Sequence, residues 1–175
     1  GFELGLHWAI PNLKTIWQCE QNKFCQKVLK KHWPQSLIYE DITTIKTSDL
    51  EEIDILCAGF PCQNISIAGK GEGLHGKKSG LFWEMLRIIS DFRDQGRGIP
   101  ILLLENVPAI TLPGRGLSSV LGSLSQIGYS VEYFTLKACD FGAPHKRERW
   151  FAVAYTIGKH GKKQPMHTLK MEEKD

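Results

Sequence analysis

Short apolar runs alternate along the chain with longer stretches in which hydrophobic residues recur every three or four positions. Short runs rich in β-branched and aromatic side chains predict strands, whereas a period near 3.6 residues predicts amphipathic helices. The pattern predicts six strands, at residues 15–20, 36–40, 54–60, 99–105, 131–137 and 150–155. It predicts four helices, at residues 1–10, 23–32, 80–94 and 117–127. Strands that alternate with helices are typical of an α/β fold around a mostly parallel sheet.

Two of the predicted strands contain continuous apolar runs. Residues 55–58 read Ile-Leu-Cys-Ala, and residues 101–104 read Ile-Leu-Leu-Leu. Such runs are typical of strands that are covered on both faces of a sheet. We therefore expect both strands to lie in the middle of the sheet.

The composition is that of a soluble globular domain. Of the 175 residues, 42% are hydrophobic and 23% are charged, which excludes collagen-like, coiled-coil and disordered chains. No apolar run approaches the roughly 18 residues of a membrane span, so we expect no membrane association. The net charge is +3, and residues 158–175 contribute five Lys against three acids. This small excess permits a polyanionic partner without arguing for one.

The cysteines do not follow the spacing of a disulfide framework or a zinc site. Their number is odd and no pair has CxxC spacing, which favours a reducing compartment and free thiols. We expect no metal site. The five cysteines are Cys19, Cys25, Cys57, Cys62 and Cys139.

Side chains suited to catalysis follow two of the predicted strands. Cys62 comes directly after the strand over residues 54–60, and Glu105 comes directly after the apolar run over residues 101–104. Because ligands bind beyond the carboxyl ends of parallel strands, these two side chains should converge on one cleft. A cysteine there acts as a nucleophile when cations or backbone N–H groups favour its thiolate. The alternatives are a small buried hydrophobic residue for Cys62 and an ion-paired strand end for Glu105.

Two further segments are candidates for a functional site, one of them basic and the other rich in glycine. Residues 145–149 read His-Lys-Arg-Glu-Arg. If this segment is extended, Arg147 and Arg149 point the same way and can address one carbonyl or phosphate group. A solvated basic loop is the alternative. Residues 63–80 contain five glycines and few apolar residues, which predicts a mobile loop.

These segments resemble three motifs of the DNA (cytosine-5)-methyltransferase family. Residues 59–63, Gly-Phe-Pro-Cys-Gln, with Ser66 and Gly69, are similar to the family's catalytic loop. Glu105-Asn106-Val107 resembles its second catalytic motif, and residues 145–149 resemble its Gln-x-Arg-x-Arg motif with His at the Gln position. The three motifs occur in the family's order and at predicted strand ends. The resemblance implies a Rossmann-like fold that uses S-adenosylmethionine, with a mostly parallel twisted sheet flanked by helices.

The resemblance also implies the roles of the catalytic residues. Cys62 would add to C6 of cytosine as a thiolate, and Glu105 would supply a proton or strong hydrogen bond at N3. Arg149, with Arg147, would hold the O2 atom of the base. C5 would then accept a methyl group from S-adenosylmethionine. Because the reacting atoms are stacked inside a duplex, the target base must be flipped out.

Further residues are implied to bind the cofactor and the DNA. Glu20 resembles the acid that binds the ribose hydroxyls, and Asp41, followed by Ile42, resembles the acid that meets the adenine amino group. The full set expected at the cofactor is Glu20, Gln21, Asp41, Ile42, Pro61 and Leu81. The residues expected to contact the DNA substrate are Gln63, Ser66, Lys70 and Asn106.

The resemblance covers nearly the whole chain but only part of a family member. Gly1-Phe2 resembles the end of the first, glycine-rich cofactor motif, and nothing after Tyr155 resembles the target-recognition region or the last two motifs. This implies a fragment truncated at both ends, with a partial catalytic domain at residues 1–157 and a basic tail at 158–175.

The expected setting is a restriction-modification enzyme in the cytoplasm of a bacterial or phage-infected cell. Its expected partners are double-stranded DNA and a complementary chain that supplies the missing recognition region. Two alternatives stay open. One is a cytosine-5 methyltransferase that acts on transfer RNA, and the other is a non-catalytic fragment that binds nucleic acid.

Overall fold

The computed structural model describes residues 1–60 and 80–156. The helices are α1 (Phe2–Ala9), α2 (Lys23–His32), α3 (Leu81–Asp94) and α4 (Leu117–Gln126). The strands are β1 (Trp17–Cys19), β2 (Leu37–Tyr39), β3 (Ile55–Gly59), β4 (Ile101–Asn106), β5 (Tyr129–Lys137) and β6 (Glu148–Thr156). Every predicted helix and strand is present, with ends that differ by at most two residues. The prediction of an α/β fold is confirmed.

Several sequence-based predictions lie outside the described residues. They concern the loop after Phe60, the basic tail and five of the candidate site residues: Pro61, Cys62, Gln63, Ser66 and Lys70. Within residues 1–60 and 80–156, no helix combines the length and hydropathy needed to cross a membrane.

The strands form two sheets. β1 pairs with β2 in parallel, and the other four strands form one sheet in the order β3-β4-β6-β5. β3 is parallel to β4, whereas β6 is antiparallel to both β4 and β5. Three of the four strands therefore run in the same direction, as expected for a mostly parallel sheet.

The prediction that both apolar strands lie in mid-sheet is right for β4 and wrong for β3. β4 lies between β3 and β6, whereas β3 is an edge strand of the sheet that the described residues form. The free side of β3 borders a cavity that also contacts β1. A continuous apolar run indicates that both faces of a strand are apolar, but it does not indicate that both edges are paired.

Alternation along β4 separates a closed face of the sheet from a more open one. Leu102, Leu104 and Asn106 are buried, whereas Ile101, Leu103 and Glu105 are half-buried. The buried face belongs to the same core as the apolar faces of α3 and α4. Glu105 therefore lies on the more open face, where a ligand can reach it.

The environment of Tyr129, at the start of β5, predicts how the free energy of unfolding changes at alkaline pH. Its hydroxyl donates to the carbonyl oxygen of Ile99 at 2.5 Å, and burial raises its pKa to about 12. The unfolded chain releases this proton near pH 10, whereas the folded chain keeps it up to about pH 12. The free energy of unfolding therefore falls as pH rises through this window.

We expect Tyr129→Phe to make that fall shallower, as measured by urea unfolding at about pH 9 and 11. Tyr133→Phe, at an exposed position of the same strand, is the control. Equal pH dependence in the two variants would contradict the prediction.

Candidate active site

Glu105 and Arg149 meet where β4 ends and β6 begins. Nε of Arg149 lies 2.9 Å from Oε1 of Glu105, and the two side chains are 27% and 31% exposed, respectively. Arg149 also donates from Nη1 to the carbonyl oxygen of Glu148 at 2.8 Å. The guanidinium group thus fixes the direction of the carboxylate while leaving it open to a ligand.

Gly59 leaves the space that this carboxylate occupies. It is the last residue of β3 and lies opposite Glu105 in the parallel pair. A Cβ atom at position 59 would lie 3.0 Å from Oε2 of Glu105, which is closer than ordinary van der Waals contact. The next residue, Phe60, is buried, and its ring centroid lies 5.0 Å from that of Phe82 on α3. The chain that continues to Cys62 therefore leaves from an anchored point beside Glu105.

Asn106 ties the ends of β3 and β4 together. Its Nδ2 donates to the carbonyl oxygen of Phe60 at 2.8 Å, and its Oδ1 accepts from the backbone N–H of Val107 at 2.8 Å. The side chain is only 5% exposed. Because side chains alternate along a strand, Asn106 points away from the face that carries Glu105. Its contacts in the structure are with the protein itself. The substrate contact expected for Asn106 stays a prediction.

This tie gives a prediction for stability. Asn106→Asp keeps an acceptor for Val107 but cannot donate to Phe60 when ionised, so a buried carbonyl oxygen loses its partner. We expect the free energy of unfolding to fall by about 2 kcal/mol, as measured by urea denaturation. The control is Asn12→Asp, because Asn12 is exposed. If both variants are equally stable, the hydrogen bond from Asn106 to the carbonyl oxygen of Phe60 does not stabilise the fold.

Arg147 departs from the geometry that the sequence predicted. It precedes β6, which begins at Glu148, and its φ of 28° lies in the left-handed region that is uncommon for residues other than glycine. The extended segment on which Arg147 and Arg149 would point the same way is therefore interrupted at Arg147. Of the two, it is Arg149 that contacts Glu105.

A cavity of about 980 Å³ opens between β1 and β3, beside α1. Consecutive residues of both strands line it, together with the first turn of α1. Four of the residues predicted to bind the cofactor line this cavity: Glu20, Gln21, Ile42 and Leu81. Asp41 is not among the lining residues, and Pro61 lies outside the described part of the chain.

Two carboxylates lie at the carboxyl ends of β1 and β2. Glu20 accepts the backbone N–H of Asn22 at 2.7 Å. Asp41 accepts both the backbone N–H and the hydroxyl of Thr43, at 2.9 and 2.8 Å, and these bonds lower its pKa. Burial raises the pKa of the Cys19 thiol, and the charges of Asp41 and Glu20 raise it further. Both carboxylates therefore lie close enough to Cys19 for their charges to act on its thiol.

Gln18 is a cavity residue that the sequence did not reveal. It is 7% exposed, and its Nε2 donates to Oε1 of Glu3 on α1 at 3.3 Å. Its Oε1 is buried and has no hydrogen-bond partner among the described residues. Since buried polar atoms are normally paired, a ligand that donates a hydrogen bond fits this position. The signal in the sequence was a polar residue inside a short apolar strand.

The cavity has the size and chemistry for a ligand of nucleoside type. Its volume is at the upper end of the range for small-molecule sites. Glu20 can accept hydrogen bonds from ribose hydroxyls, and Ile42 and Leu81 offer apolar contacts to a base. The residues present therefore fit S-adenosylmethionine. The Glu105–Arg149 pair lies at the end of β4, the strand next to β3.

Comparison with known sequences gives the family. The chain matches the model of the C-5 cytosine-specific DNA methylase family over residues 1–175. It is 36% identical over 156 residues to the Type II methyltransferase M2.BsuMI of Bacillus subtilis (strain 168), covering 88% of this chain and 39% of that protein. It is 35% identical over 158 residues to the Type II methyltransferase M.NlaIV of Neisseria lactamica, covering 85% and 36%. The chain spans about two fifths of the length of these relatives.

Comparison with solved structures agrees on the fold. The S. pombe Dnmt2 methyltransferase superposes with a TM-score of 0.69 at 16% identity, over 93% of this chain and 48% of that one. The Entamoeba histolytica methyltransferase EhMeth gives a TM-score of 0.63 at 18% identity, over 84% and 46%. The predicted Rossmann-like methyltransferase fold is confirmed. Because the family model matches the chain from Gly1 to Asp175, the chain belongs to the C-5 cytosine-specific DNA methylase family.

Proposed function

We propose that this chain is the catalytic core of an enzyme that transfers a methyl group from S-adenosylmethionine to C5 of cytosine in DNA. The observation that carries the proposal is the Glu105–Arg149 ion pair, with 2.9 Å between its charged atoms, at the carboxyl end of β4. Gly59 lies opposite Glu105, and the chain continues from there through Phe60 to Cys62. The family relationship supports the same reaction.

The cavity between β1 and β3 is the proposed cofactor site. Glu20 binds the ribose hydroxyls, while Gln21, Ile42, Pro61 and Leu81 surround the adenosyl group. Asp41 caps the turn that contains Ile42 and is the proposed acceptor for the adenine amino group. Gln18 offers its buried oxygen as a further acceptor. When bound, S-adenosylmethionine supplies the electrophilic methyl group that activated C5 accepts.

The protein's task is to make C5 of cytosine nucleophilic. The Cys62 thiolate forms a bond to C6, and the electrons of the C5–C6 double bond become available at C5. Glu105, in its protonated form, donates a proton or hydrogen bond to N3, where negative charge develops, and Arg149 and Arg147 hold O2. Once C5 has accepted the methyl group, loss of the C5 proton restores the C5–C6 double bond and releases Cys62.

The proposed substrate is double-stranded DNA with the target cytosine flipped out of the helix. Gln63, Ser66 and Lys70 are proposed contacts to the DNA substrate. The proposed setting is a restriction-modification system in the cytoplasm of a bacterial or phage-infected cell. A complementary chain with the recognition region is a proposed partner.

Transfer of a tritiated methyl group by the full-length protein tests this proposal. We expect label in duplex DNA, recovered as 5-methylcytosine, and none in the same duplex with every cytosine already methylated at C5. Label in transfer RNA but not in DNA would favour the RNA alternative. No label in either acceptor, with S-adenosylmethionine bound, would favour a non-catalytic protein. If a separate C-terminal segment then restores transfer, the enzyme is split between two chains.

A further inference from the structure

An arginine of α3 holds the wall of the cofactor cavity from outside. Nη2 of Arg87 lies 3.1 Å from the carbonyl oxygens of both Ile42 and Ile45. Ile42 and Ile45 line the cavity, whereas Arg87 itself is not a lining residue. The two carbonyl groups belong to the segment that begins at Asp41, which caps the turn Ile42–Thr44. Arg87 thus contacts the backbone of this segment directly.

Two carboxylates fix the guanidinium group of Arg87. Its Nε lies 2.8 Å from Oε2 of Glu84, and its Nη1 lies 3.3 Å from Oδ2 of Asp91. Asp91 also accepts the hydroxyl of Thr47 at 2.9 Å, which ties α3 to the same segment a second time. Because a guanidinium group is planar, anchoring two of its nitrogens sets the direction of the third. That third nitrogen is the donor to the cavity wall.

The same helix forms part of the cavity. Leu81, Met85 and Ile88 recur at helical spacing along α3 and line the cavity. Arg87 is therefore well placed to keep the segment around Ile42 at a fixed distance from this apolar helix face. A ligand that lies between Ile42 and Leu81 requires that distance to be constant.

We propose that Arg87 is a positioning residue for cofactor binding. By holding the carbonyl groups of Ile42 and Ile45, it sets the position of Asp41 and Ile42 relative to α3 before the ligand binds. The inference rests on the proposed function, because it takes S-adenosylmethionine as the ligand. In this role, Arg87 supports the cavity wall without touching the ligand.

Arg97 provides a matched control. It donates to the carbonyl oxygens of Thr47 and Leu50, both at 2.8 Å, and its guanidinium carbon lies 4.6 Å from the ring centroid of Phe92. Arg97 therefore makes the same kind of contact to a later part of the same segment. Neither Arg97 nor the two residues that it holds line the cavity.

The test is calorimetric titration of the full-length protein with S-adenosylmethionine. Lysine keeps the charge but loses the planar fork, so Arg87→Lys should raise Kd about tenfold, or about 1.4 kcal/mol. Arg97→Lys should change Kd less than about twofold while lowering the melting temperature, since it loses comparable hydrogen bonds. In steady-state assays, Arg87→Lys should raise KM for S-adenosylmethionine and leave kcat nearly unchanged.

Asp91→Asn is a second variant that keeps the test open if Arg87→Lys does not fold. It loosens the anchor but keeps every donor of Arg87, so we expect a rise in Kd of about threefold. A Kd within about twofold of wild type for both variants would overturn the inference. So would equal weakening by Arg97→Lys, because a general loss of stability would then explain both effects.

The same titration separates this inference from the proposed function. If the wild-type protein binds S-adenosylmethionine and Arg87→Lys binds it equally well, only the positioning role is wrong. If the wild-type protein binds none, the proposed cofactor site is wrong and the inference falls with it.

Discussion

Cys62→Ala is expected to lower the rate of methyl transfer by about 10⁴-fold or more, because C5 is not activated when no nucleophile adds to C6. The measurement is the initial rate with tritiated S-adenosylmethionine and saturating duplex DNA. Binding of S-adenosylmethionine should change little, since the cavity between β1 and β3 stays intact. The loss should therefore appear in kcat.

The other cysteines show why this effect should be confined to Cys62. Cys57 is half-buried on β3, and burial raises its pKa to about 12, with the charge of Glu3 adding to the shift. It stays a thiol at neutral pH and cannot replace a missing thiolate. Cys139 is exposed, and Cys139→Ala is the control that should keep the wild-type rate. A rate for Cys62→Ala within a factor of about ten of the wild-type rate would contradict the proposed role.

Glu105→Gln should lower kcat by about 10² to 10³-fold. The amide has nearly the same shape but cannot deliver a proton to N3, and it loses the ion pair with Arg149. Single-turnover rates with preformed enzyme–DNA complex measure the chemical step directly. We expect the affinity for DNA to change far less than the rate.

Glu132→Gln is the matched control for this variant. Glu132 lies on β5 and accepts the hydroxyl of Tyr155 at 2.9 Å, at an exposed site away from the strand end. It should keep the wild-type rate. Equal rates for Glu105→Gln and Glu132→Gln would show that Glu105 takes no part in catalysis.

The sequence predicted the helices and strands and the proximity of the end of β3 to Glu105, because these features follow from local patterns and the sheet rule. Helical and strand periods gave the elements of the fold. The rule that parallel strands present their carboxyl ends at one edge brought the segment before Cys62 next to Glu105. In the structure, Gly59 and Glu105 lie directly opposite each other. Strand alternation could also have indicated that Asn106 points away from Glu105.

Contacts between distant parts of the chain were not predictable in this way. Arg87 and Ile42 are 45 positions apart in the sequence, and a guanidinium group that binds a carbonyl oxygen leaves no pattern in the acceptor residue. Gln18 on β1 and Glu3 on α1 are 15 positions apart and form a hydrogen bond that no local pattern indicates. The left-handed backbone at Arg147 is a further case, since Arg has no preference for that conformation. Such features follow from tertiary packing.

Covalent trapping on duplex DNA that contains 5-fluorocytosine, with S-adenosylmethionine present, tests directly whether Cys62 forms a bond to C6 of the target base. Fluorine at C5 cannot leave as a proton, so the reaction should stop after methyl transfer with the enzyme still attached to C6. We expect a stable adduct on the peptide that contains Cys62, and none with Cys62→Ala. If the protein methylates ordinary duplex DNA but forms no adduct, or if the adduct persists in Cys62→Ala, the proposed covalent mechanism through Cys62 is wrong.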